Sequence, residues 1–173
     1  NEVIESQVDM FVGDDQETKD WDVAGLSQSL FEIIPVKLEI PKSEIEHLSK
    51  AEFKQLLKEA AVKLYEAKEA EFPEPEHIRE LERIVLLRVI DRKWMDHLDD
   101  MEQLKQGIGL MAYGQRDPAV EYKIQGFEMF NDMIEGIKVE TVKTLYHIQV
   151  EQKVEREEVA EVTGTNKDDN GGV

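Results

Sequence analysis

The 173-residue sequence has no cysteine, which excludes both a disulfide framework and a zinc site built on thiolates. Positive charge is scarce: 21 Lys and Arg face 39 Asp and Glu, for a formal net charge of −18. Nucleic acid needs a basic footprint, and anionic lipid attracts polybasic segments, so this balance argues against direct binding to either. No run approaches the roughly 18 uncharged apolar residues of a membrane-spanning helix, and no signal peptide opens the chain. No Gly-x-x-x-x-Gly-Lys-Ser/Thr phosphate loop occurs, and Gly107-Ile108-Gly109 follows no strand. Acidic residues are everywhere and none stands out as a catalytic pair, while Asp168-Asp169-Asn170-Gly171-Gly172 lacks the distal glutamate of a calcium loop. On this reading the chain is not an enzyme and holds no cofactor of its own.

What the sequence does have is helical periodicity. Apolar residues recur at Ile90, Trp94, Leu98, Met101, Leu104 and Ile108, then at Phe127, Phe130, Ile134, Ile137, Val142, Leu145 and Ile148. Steps of three and four are the helical period and predict two long helices, each of roughly 30 residues and about 45 Å. Between them, Gly107 and Gly109 weaken the end of the first helix. Asp117 supplies a cap and Pro118 suits the first position of a new helix, with Glu121 well placed for its dipole. The pattern is an antiparallel hairpin with 110–116 at its tip. Trp94, Leu98, Met101, Leu104, Phe127, Phe130 and Ile134 are its expected core, and Tyr122 belongs to the same aromatic set. His97 stands three residues after Trp94 among Asp96, Asp99 and Asp100, and His47, His77 and His147 are too far off to share a metal with it. It reads as a surface or interhelical hydrogen-bonding histidine.

The remainder is read more coarsely. Residues 1–34 hold nine acidic side chains and one basic. Within them, 1–12 suits a short helix, 13–20 a loop and Val23–Ile33 a helix. Val36, Leu38 and Ile40 alternate with polar residues over Pro35–Pro41, which suits a short extended segment. Residues 43–72 are mostly helical, and Ser49-Lys50-Ala51-Glu52 has the spacing of a capping box. Pro73 and Pro75 break the chain before the hairpin. Past 151 the periodicity is lost, in an acidic tail read as disordered.

These residues resemble a known family. The stretch WMDHLDDMEQLKQGIGLMAYGQRDPAVEYKIQGFEMF is similar to the two-helix finger of SecA, the bacterial preprotein translocase motor. Trp94, His97, Leu98, Met101, Leu104, Gly107, Ile108, Leu110, Tyr113, Gln115, Asp117, Pro118, Glu121, Tyr122, Phe127, Met129 and Phe130 match its pattern in register. Trp21-Asp22-Val23-Ala24-Gly25-Leu26 resembles the W-D-x-x-G-L of the family's helical wing. Met111 stands where the family usually has arginine, and Gly109 where it often has histidine, so the tip loses a positive charge that Arg116 partly replaces.

The resemblance implies an all-α chain with a wing domain over 1–72, a scaffold segment with the finger over 73–150, and the tail over 151–173. It implies that Leu110, Met111, Tyr113, Gln115 and Arg116 contact an unfolded secretory precursor at the SecYEG channel. Signal peptide would bind in a groove beside the hairpin. ATP and magnesium would belong to nucleotide-binding domains outside this sequence, whose hydrolysis the hairpin restrains and couples to transport. The setting implied is the cytoplasmic face of the bacterial membrane, with dimerisation through the parent protein. The first residue, Asn1, suggests an excised piece, and the missing Cys-rich zinc tail of the family fits either a sequence that stops early or a tailless version. The competing reading is a stand-alone chaperone or adaptor whose hairpin binds partner helices.

Overall fold

The computed structural model describes residues 1–13, 18–36, 45, 47–109 and 117–149, and among them all regular structure is helical. The α-helices are α1 (Glu2–Phe11), α2 (Val23–Ile33), α3 (Lys50–Glu69), α4 (Pro75–Ile108) and α5 (Pro118–His147), with a 3-10 turn at Thr18–Asp20. Most of the expected extended segment 35–41 lies outside the described residues, as does everything from 150 onward.

The first three helices form because each has one buried stripe, and α2 and α3 also have a side-chain cap. In the Trp-Asp-x-x-Gly-Leu motif every residue has a local task. Trp21 is buried with its ring 5.6 Å from that of Phe53. Asp22 caps α2 by accepting the Gly25 N–H at 2.9 Å. Gly25 leaves room for that cap, since a Cβ there would sit 2.3 Å from Asp22 Oδ2. Leu26 begins the buried face that continues through Leu30 and Ile33. At the start of α3 the capping box is complete, with Ser49 accepting from Glu52 N–H and Glu52 accepting from Ser49 N–H. Phe53, Leu57 and Ala61 then face inward at four-residue spacing.

Val3, Ile4 and Val8 of α1 join these side chains in one cluster. Around it, charge registers the helices. Lys50 and Lys54 of α3 both reach Asp9 of α1 at 2.7 Å, and Lys58 pairs with Glu5. Hydrogen bonds from Lys50 and Lys54 hold the Asp9 carboxyl below its usual range, and Lys58 does the same for Glu5. Ser29 Oγ donates to Gln7 Oε1 at 2.6 Å, tying α2 to α1.

Helices α4 and α5 run antiparallel, since partner numbers rise on one as they fall on the other. Arg92 pairs with Glu140, the His97 ring meets Phe130 at 5.9 Å, and a Cβ on Gly126 would sit 3.1 Å from the Met101 methyl carbon. Both helices begin as expected, with Pro75 and Pro118 in their first turns and Asp117 Oδ1 accepting the Ala119 N–H at 2.9 Å.

The expected hairpin core needs correction. Trp94, Leu98, Phe127 and Phe130 are 46, 49, 66 and 39 % exposed, while Met101, Leu104 and Ile134 are half-buried. The residues buried on the shaft are instead Val85, Val89, His97 and Met133, together with Ile78 near its base. The reason is geometric: two helices alone cover only the seam between them, and these apolar stripes are wider than that seam. His97, expected at the surface or between the helices, lies between them and packs against the Trp94 and Phe130 rings.

Candidate functional site

The candidate element is the hairpin, with a shaft, a base and the tip. The tip residues Leu110, Met111, Tyr113, Gln115 and Arg116 lie outside the described residues. What the structure gives is the platform on either side of them, α4 ending at Ile108 and α5 starting at Pro118. With 34 and 30 residues, the two helices are about 51 and 45 Å long.

The shaft carries an uncovered apolar band. Ile84, Leu87, Trp94, Met95 and Leu98 on α4, with Val120, Ile124, Phe127 and Phe130 on α5, are all more than a third exposed. Single exposed apolar residues are ordinary on any surface, but a band along two adjoining helices marks a surface that another element covers. A different face of α4 is acidic. There Lys93, Asp96, His97 and Asp100 meet Met129, Asp132 and Met133 of α5 around a cleft of about 290 Å³.

The base is locked to α3 by side chains that the sequence reading did not single out. Tyr146 donates from its hydroxyl to the Ala61 carbonyl at 2.9 Å, and its ring lies 5.4 Å from that of Tyr65. Tyr65 in turn donates to Glu82 Oε1 on α4 at 2.6 Å. Burial, then this bond to Glu82, pushes the Tyr65 hydroxyl well above its usual value, so it stays a donor. Lys68 donates to the carbonyls of Tyr146 and Ile148, satisfying acceptors left open where α5 ends. Arg79 bridges Glu69 and Glu82. Val139, Val142 and Tyr146 of α5 also pack on the cluster formed by the first three helices, so the hairpin's base shares their core. Lys138 extends the junction by pairing with Glu2 at 2.8 Å. The available signal was weak: Tyr65 and Tyr146 sit in amphipathic stripes, and a half-buried tyrosine needs a partner for its hydroxyl.

Among the described residues no group of three or more His, Asp or Glu side chains is arranged to hold a metal ion. No described helix is long and apolar enough to cross a membrane. The arrangement suits mechanical and binding work: a rod fixed at one end, apolar along one side.

Known proteins agree with this architecture. The family model described as "SecA Wing and Scaffold domain" matches residues 1–149. The chain is 61 % identical over 167 residues to the protein translocase subunit SecA of Lachnoclostridium phytofermentans, covering 96 % of this chain and 20 % of that protein. It is 46 % identical over 170 residues to the subunit of Clostridium novyi, covering 98 % and 20 %. With Protein translocase subunit SecA 1 of Alkaliphilus metalliredigens it shares 45 % identity over 158 residues, covering 91 % and 18 %. The chain thus spans about 20 % of the length of the curated relatives it matches. With the match running through all five helices among the described residues and both sides of the hairpin tip, the chain belongs to the SecA wing and scaffold family.

Proposed function

We propose that this chain is the wing and scaffold portion of a Sec-pathway protein translocase motor, and that its hairpin is the part that meets the translocating polypeptide. The observation that carries the reading is the shaft itself: helices of 34 and 30 residues, joined through 110–116 and fixed at the far end to α3. A rod of about 45 Å exceeds the roughly 30 Å apolar thickness of a bilayer, so it can present a tip inside a channel without its helices being transmembrane. Leu110, Met111, Tyr113, Gln115 and Arg116 supply that tip. An aromatic ring with a polar hydroxyl, beside a pliable methionine, suits contact with a passing chain of any sequence. The channel is SecYEG, the cargo is an unfolded secretory precursor with its signal peptide, and the place is the cytoplasmic face of the membrane.

ATP and magnesium act in nucleotide-binding domains beyond this segment, and the exposed band on the shaft is the surface through which those domains would be coupled to it. The adaptor reading draws on the same band, because it is also a fit for partner helices. The tip separates the two. A photo-crosslinker in place of Tyr113, in the intact translocase with a precursor stalled in transit, is expected to label the precursor and the channel. Labelling confined to the motor itself would overturn the finger role and leave the hairpin as a brace or adaptor.

A further inference from the structure

The acidic cleft on the shaft carries an inference of its own. Lys93, Asp96, His97 and Asp100 share one face of α4, and Met129, Asp132 and Met133 share one face of α5, so the seam between the helices is the cleft floor. Three exposed carboxylates line it: Asp96, Asp100 and Asp132. None of the three forms an ion pair or hydrogen bond among the described residues. The cleft's one lysine is already engaged, with Lys93 Nζ 3.2 Å from Glu140 Oε2.

The second observation is His97. It is only 9 % exposed, yet it lines the cleft, and the Trp94 and Phe130 rings lie 5.8 and 5.9 Å from its own. Its ring nitrogens are not among the fully buried polar atoms without a partner, so they reach the surface where the ring lines the cleft, and an imidazole nitrogen that carries no proton can accept a hydrogen bond. The floor therefore offers an acceptor and the rim lacks a cation.

We propose that this cleft is a docking site for an arginine side chain on a protein segment lying along the hairpin, its guanidinium held by Asp96, Asp100 and Asp132 above His97. The chemistry selects among cations. No three of these ligand-type side chains are arranged to hold a metal ion, so a dispersed charge fits better than a point charge. A guanidinium brings five donors in a flat fork, enough for several carboxylates and the imidazole together. It is also more weakly hydrated than an ammonium, which suits walls made of Met129 and Met133 beside the aromatic rings. The cleft and most of the apolar band occupy different faces of α4, and the Trp94 and Phe130 rings beside His97 are where the two surfaces adjoin.

The test uses the 173-residue chain and proton NMR of the His97 ring, its resonance identified by loss in His97→Gln. The probe is N-acetyl-Gly-Arg-Gly-amide, compared with the same tripeptide carrying lysine or citrulline. The arginine probe is expected to shift the His97 resonance saturably, the lysine probe more weakly, and citrulline not at all. Asp100→Asn with Asp132→Asn should weaken arginine binding roughly tenfold or more, as loss of charge-assisted bonds predicts. Asp99→Asn with Glu128→Gln removes as much charge outside the cleft and should leave binding within about twofold, the residue of long-range attraction. Equal weakening by the two double variants would reduce the effect to the chain's overall charge and overturn the site. So would equal shifts from arginine and citrulline, or a resonance that never responds. Circular dichroism checks that each variant keeps its helices.

Discussion

Phenylalanine to alanine is one chemical change with two very different expected costs in this chain. Phe53 is fully buried, with its ring against Trp21, whereas Phe127 is 66 % exposed on the shaft. Phe53→Ala removes a ring from a packed cluster, at about 3–5 kcal/mol once the cavity left behind is included. For a chain of this size, that lowers Tm by on the order of 10 °C. Phe127→Ala removes a ring that is mostly in water, and alanine is the better helix former, so the cost should stay within about 0.5 kcal/mol. Urea denaturation followed by circular dichroism at the helical band gives both values in matched buffer. A Phe127→Ala cost as large as that of Phe53→Ala would refute the reasoning, because it would mean that the band is covered in the isolated chain.

Gly25→Ala should destabilise, although alanine normally improves a helix by about 1 kcal/mol, because the new Cβ would displace the Asp22 cap that fixes the start of α2; a rise in Tm would show that the cap is dispensable. Tyr146→Phe should cost about 0.5–1.5 kcal/mol through loss of the bond to the Ala61 carbonyl, and an unchanged urea midpoint would count against a locked base. The carboxyls of Asp9 and Glu5 are depressed below their ordinary 3.8 and 4.5, so the stability they contribute is complete above those values and is lost as pH falls through the lower, folded-state values. Lys54→Met with Lys58→Met should therefore lower Tm at neutral pH, and the gap to wild type should close on acidification below about pH 4.5; a gap that persists in acid would mean that the lysines stabilise by packing.

Much of this architecture is written locally, and where it is local it could be read. Asp117-Pro118 announces the return helix because both its cap and its first position are set by neighbours in sequence. The same holds for Ser49 and Glu52 in the capping box and for the restart at Pro75. Periodicity identifies which residues share a face, but not whether anything covers that face. That is why Trp94, Leu98, Phe127 and Phe130 were expected as core and turn out exposed. The base was hidden for a related reason: Tyr65 meets Tyr146, and Lys68 meets the end of α5, across some 80 residues of chain. No local pattern encodes such a meeting. His97 falls between these cases, since its neighbours in sequence are acidic while its neighbours in space are two aromatic rings.

The base gives the hairpin the mechanics of a cantilever. Along the shaft, α4 and α5 brace each other, while at one end Tyr146, Tyr65 and Lys68 bind them to α3. A sideways push near Ile108 or Pro118 is resisted little along the way, so it arrives at the clamp as a torque. The tyrosine hydroxyls and the lysine cap lie at that clamp, beside the apolar packing of Val139 and Val142. Stiffness at the free end thus depends on the packing of Val139, Val142 and Tyr146 and on a few polar contacts some 45 Å away, and softening these would blunt the rod without shortening it.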